Sequence, residues 1–133
     1  MRIAISEKIR KEVADRANHK CEYCQIHMDD MFLSFELDHI LPIKHGGSSE
    51  IENLALACPH CNQHKGSDFA TIVNAEVVRL FNPRIDNWQE NFRVVNGAIL
   101  SKSKIGEASI KIFRFNEPDR VILRQLLTSI GRY

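Results

Sequence analysis

No apolar run in this chain of 133 residues approaches the ~18 residues that a membrane-crossing helix needs. The opening MRIAISEKIRKE also lacks the hydrophobic centre of a secretory signal, so the expected location is cytoplasmic. Internal repeats and low-complexity linkers are absent as well. With 44% hydrophobic residues, the chain is long enough for one compact domain with a modest core and an appended subdomain, and too short for two ordinary domains. Net charge is nearly absent, at +1, but the charges are unevenly placed. Residues 1–20 carry six Lys/Arg against three Asp/Glu, residues 21–57 one against seven, and residues 58–133 eleven against seven. An acidic middle between basic flanks suits a metal site beside a polyanion, although a mixed solvated surface gives the same counts. All six histidines fall between His19 and His64, so any chemistry is concentrated there.

The four cysteines form two Cys-x-x-Cys knuckles, Cys21/Cys24 and Cys58/Cys61, with 33 residues between Cys24 and Cys58. Paired knuckles supply two thiolates from each of two turns, which is what a tetrahedral structural Zn²⁺ requires. Two disulfides or four buried thiols are the alternatives, and a reducing compartment disfavours disulfides. Four cysteine ligands leave the metal no open position, so it is expected to clamp the fold and not to catalyse.

Around the knuckles, Ser6 caps an amphipathic helix over residues 7–18, in which Ile9, Val13 and Ala17 recur four apart. FLSFEL, residues 32–37, alternates as a half-buried strand does. Pro42 and Gly46-Gly47-Ser48-Ser49 open a polar loop that runs to about Asn53. LALA, residues 54–57, is a second strand, and Pro59 stands where a helix begins. The spacing of Phe69, Ile72, Val73, Val77, Leu80 and Phe81 predicts a helix from Asp68 to the residues before Pro83. Asn96-Gly97 marks a hairpin within residues 92–101. Residues 105–115 fit strand or helix, and Glu117–Ile130 reads as a helix. The expected class is α+β. Residues 1–82 are expected to hold the core with its N-terminal helix and zinc knuckles, and residues 83–133 an extension of hairpin plus helix.

Asp38 and His39 sit together where the first strand meets the loop. Carboxylate oxygen suits Mg²⁺ or Mn²⁺, and a neutral imidazole suits proton abstraction from water. Asn53 closes the far end of the loop, and Asn62 follows the last cysteine in the first turn of the helix. The whole segment DHILPIKHGGSSEIENLALACPHCNQHKG resembles the core of the HNH endonucleases, the ββα-metal nucleases. The shared pattern matches at Asp38, His39, Pro42, Gly46, Gly47, Asn53, Leu54, Cys58, Cys61, Asn62 and Lys65.

This resemblance implies a metal-dependent endonuclease acting on DNA or RNA and a ββα-metal core. It implies His39 as the general base, Asp38 and Asn62 as ligands of one catalytic cation, Mg²⁺ or Mn²⁺, and Asn53 as the residue that holds the loop. Lys65 would contact a flanking phosphate. Many members carry histidine where this chain has Asn62, and an amide oxygen favours the harder cations. His45, His60 and His64 lie near the site, and His64 is the alternative second ligand. Beyond the core, Arg84, Arg93, Lys102 and Lys104 could line a phosphate track, while Trp88 and Phe92 read as packing residues. A catalytically silent zinc module that binds nucleic acid is the competing function, and it has no need of the set Asp38, His39, Asn53 and Asn62.

Overall fold

A computed structural model describes residues 5–133. The chain separates into two compact units, one ending at Phe69 and the other running from Ala70 to Tyr133.

In the first unit, α1 (Glu7–Arg16) starts where the Ser6 hydroxyl accepts the Ile9 amide, and it buries Val13. The first knuckle follows, then β1 (Glu36–His39), which pairs antiparallel with β2 (Leu54–Ala57) in the register Glu36↔Ala57 to His39↔Leu54. Cys58 caps α2 (Pro59–Lys65), and Pro59 occupies its first turn as expected of a residue with no amide hydrogen to lose. Helix, strands and second helix thus give the α+β class with a ββα centre. The core is small: Val13, Tyr23, Ile26, Leu54 and the four cysteines are all essentially inaccessible to solvent.

The first strand begins later than the alternation of FLSFEL predicts. Phe32 and Leu33 are exposed, and only Phe35 of that stretch is buried. The partner sets the limit. β2 ends at Ala57 because the chain turns into the second knuckle, so residues before Glu36 have no backbone to pair with. Asp38 and His39 accordingly lie inside the strand.

The second unit opens with a correction. Residues 68–81 do not form a helix. Ala70–Val73 (β3) and Glu76–Arg79 (β4) pair as an antiparallel hairpin, and the connecting Asn74 and Ala75 have φ of 49° and 66°. Two consecutive left-handed residues make the turn whose twist matches a hairpin, and they break a right-handed helix. Ile72, Val73, Val77 and Val78 are β-branched and fit the pleat. The expected division at residues 82/83 therefore falls inside the second unit.

Ala75→Gly checks this directly. It should raise thermal stability by roughly 1 kcal/mol, because it relieves an alanine held in the left-handed region. The same change inside a helix would lower stability by about that amount. A fall in melting temperature would contradict the hairpin.

A second hairpin, β5 (Phe92–Val95) with β6 (Ala98–Ser101), follows the short helix α3 (Trp88–Asn91) and turns at Asn96-Gly97 as predicted. Of residues 105–115, those up to Phe113 resolve as helix, α4 (Lys104–Phe113), capped by the Ser103 hydroxyl, and Arg114 ends it in the left-handed region. α5 (Pro118–Ser129) completes the unit. Phe81, Phe92, Phe113 and Phe115 form its aromatic core, and Trp88 packs on Phe92 with ring centroids 4.9 Å apart. Arg124 is fully buried and donates to the carbonyls of Gly97 and Phe115. Among the four basic residues singled out in this unit, Lys104 is ion-paired with Glu76 and Lys102 donates to the Gln89 carbonyl.

Candidate metal centre and catalytic cleft

The four cysteine sulfurs lie within 4.8 Å of one another, all in buried residues, and none is in a disulfide. Cys24 and Cys58 are 3.7 Å apart at sulfur. Metal–sulfur bonds of ~2.3 Å in a tetrahedron put sulfurs about 3.8 Å apart, so this spacing suits one ion and is far too long for an S–S bond. Each knuckle is preorganised: the Cys24 amide points at the Cys21 sulfur and the Cys61 amide at the Cys58 sulfur, both at 3.4 Å. Burial pushes the Cys21 and Cys61 thiols up, whereas hydrogen bonds from Cys21, Cys24 and Cys61 pull Cys58 far down. A divalent cation is what allows four thiolates to share so small a space.

Tyr23, inside the first knuckle, links this centre to the strand. Its hydroxyl donates to Asp38 Oδ2 at 2.5 Å. On the other side of that carboxylate, Lys65 Nζ lies 3.2 Å from Oδ1 and 3.1 Å from Oδ2, and it also donates to the His39 carbonyl at 2.9 Å. Asp38 is 4% and Lys65 2% exposed. Burial pushes the Asp38 carboxyl up, and the Lys65 ammonium and the Tyr23 hydroxyl act against it. The expectation that Lys65 meets a flanking phosphate is corrected: α2 folds back on β1, so its last turn sends the ammonium inward to Asp38. Neither Tyr23 nor this inward path carries a periodic signal, which is why sequence reasoning missed the network.

His39, next in the strand, is half-buried. Its Nε2 is 2.9 Å from Ser49 Oγ. The loop that brings Ser49 there is closed by Asn53, whose Oδ1 accepts from the Leu41 amide (2.9 Å) and whose Nδ2 donates to the carbonyls of Leu41 (2.9 Å) and Ser48 (2.7 Å). Arg16 of α1 holds the same corner by donating to the Ile51 and Leu54 carbonyls. Gly47 is required at its position, since a Cβ there would lie 1.7 Å from the Leu41 carbonyl oxygen. Sequence reasoning singled out Asn53, but not Ser49 or Arg16.

Asp38, His39 and Asn62 line one cleft of about 530 Å³, together with Glu36, Arg10 and Lys44. His45, His60 and His64 do not line it. His45 packs edge-on against Phe69, and the His60 and His64 rings lie 4.4 Å apart along α2. The cysteine cluster is the one group of three or more Cys, His, Asp or Glu side chains among the described residues that could hold a metal. A cation in the cleft would therefore also depend on donors such as the Asn62 amide. Asp38 offers it limited room, because three contacts from Tyr23 and Lys65 already use most of the roughly four lone-pair directions of a carboxylate.

A knuckle, a clamped loop, a second knuckle and a helix in this order suit the family model that residues 21–68 match, described as HNH endonuclease. Residues 21–68 are an HNH endonuclease domain. The Septu protein PtuB of Bacillus thuringiensis is 23% identical to the chain over 121 residues, which cover 90% of this chain and 45% of that protein. The chain therefore spans less than half the length of this relative. No solved structure matches. The HNH domain takes in both knuckles, Asp38, His39, the clamped loop and α2, and it ends before the hairpin β3–β4.

Proposed function

We propose that the protein is a metal-dependent endonuclease that hydrolyses phosphodiester bonds of DNA, with His39 as general base and Zn²⁺ on Cys21, Cys24, Cys58 and Cys61 as its structural metal. The observation that carries this reading is the convergence of Asp38, His39 and Asn62 on one cleft within an HNH domain. His39 takes the proton from the water that attacks phosphorus in line. With Nε2 on the Ser49 hydroxyl, Nδ1 is the nitrogen left to take that proton, and Asn53 closes the loop that carries Ser49. Asp38 and Asn62 are the residues that would hold Mg²⁺ or Mn²⁺. When bound, the cation supplies charge stabilisation to the phosphate and the departing 3′ oxygen.

A silent nucleic-acid-binding module is favoured by one observation, the ammonium of Lys65 already seated on Asp38. The two readings separate in one experiment. Supercoiled plasmid is incubated with Mg²⁺ or Mn²⁺ and either wild-type protein or His39→Ala. The nuclease reading expects nicking by the wild type and a loss of at least about 10²-fold in the variant, the low end for a general base. Zinc content and DNA affinity should stay unchanged. Equal rates for the two proteins would remove His39 from that role, and absence of nicking at any cation concentration would leave the silent module.

A further inference from the structure

Since Lys65 is buried on Asp38, some other group must hold the substrate's flanking phosphates. Two candidates line the same cleft as His39 and Asn62: Arg10, on α1, and Lys44, in the 3-10 turn Ile43–His45 of the clamped loop. Both are exposed, and among the described residues neither side chain has a hydrogen bond or ion pair. Lys11, Lys65, Arg79 and Lys104, by contrast, are each paired with a carboxylate. Two cations lining one concavity attract an anion, and concave low-dielectric walls focus their field on it. The Asp38–Lys65 pair is neutral, so Arg10 and Lys44 outweigh Glu36. The cleft is electropositive before any metal binds.

We propose that Arg10 and Lys44 form the phosphate-binding edge of the cleft and hold the DNA backbone phosphates beside the bond to be cut. The inference rests on the nuclease reading for its substrate. Arg10 offers a planar fork that matches two phosphate oxygens, and Lys44 a mobile point charge. Neither belongs to the motif pattern. The cleft shared by a helix, a strand and a loop brings them to the site.

The test is the salt dependence of binding, read on zinc-loaded, full-length His39→Ala protein so that no DNA is consumed. A labelled duplex of mixed sequence is titrated at several salt concentrations. Arg10→Gln and Lys44→Gln should each lower the slope of log K against log salt by about 0.9, and the double variant by about 1.8. At 0.1 M salt the double variant should bind about 60-fold more weakly, which is that slope change expressed as affinity. Lys8→Gln, on α1 but outside the cleft, should behave as the parent. An unchanged slope in the double variant, or an equal drop with Lys8→Gln, overturns the proposal. If the parent binds no duplex while wild-type protein still nicks plasmid, this proposal falls and the nuclease reading stands. If the wild type also fails to nick, both fall.

Discussion

Cys61→Ser is expected to release the metal and unfold the first unit. The buried apolar core there is slight, and the cysteines themselves make up a large share of it. Structural zinc contributes on the order of 10 kcal/mol in small domains, which is comparable to the whole stability of an ordinary one. A serine hydroxyl at that position neither ionises readily nor suits the metal, and the three remaining buried sulfurs would lose the charge that holds them together. Metal analysis of the purified proteins should find one zinc per wild-type chain and a large deficit in the variant. The tyrosine signal from Tyr23 should shift to that of an exposed ring, since its hydroxyl sits on Asp38 only while the knuckle is formed. A wild-type protein without zinc, or a variant with an unchanged melting curve, would contradict this account.

The second large effect concerns Lys65. Lys65→Met fills nearly the same volume but removes the one cation paired with a carboxylate that is 4% exposed. Breaking a buried pair from one side costs about 3–5 kcal/mol, because the remaining carboxylate keeps only the Tyr23 hydroxyl and has neither water nor a compensating cation. Adding Asp38→Asn should recover most of that loss, since the amide can still accept from Tyr23 and carries no charge to strand. Chemical denaturation of the wild type, both single variants and the double variant gives the coupling. Additive losses would mean that the two groups do not act as a pair. A Lys65 that reached solvent to meet phosphate would instead show little loss of stability and a lower salt slope in DNA binding.

Both expectations depend on side chains whose identities were plain in the sequence and whose directions were not. Cys-x-x-Cys twice is a local pattern, because a tight turn brings both sulfurs of a knuckle together whatever the rest of the chain does. The helix caps at Ser6 and Cys58 and the Asn96-Gly97 turn are legible for the same reason: each is decided within a few residues. The 68–81 segment failed because apolar residues at helical spacing also fit a hairpin. Only two left-handed residues at Asn74 and Ala75 decide between them, and neither is a glycine that would have announced the turn.

The sequence by itself determined the two Cys-x-x-Cys knuckles, the order strand, loop, strand, helix, and the presence of Asp38, His39, Asn53 and Asn62 at family spacing. Tertiary structure decided where the strand begins, because pairing ends where β2 ends. It decided that Lys65 turns inward to Asp38, because α2 folds back on β1. It also decided that Ser49 meets His39 and that Arg10 and Lys44 share a cleft with His39. His39 and Ser49 are 10 positions apart and Asp38 and Lys65 are 27. Periodicity and motif spacing describe one segment at a time, whereas such contacts depend on how separate segments pack, and so they appear only once the chain is folded.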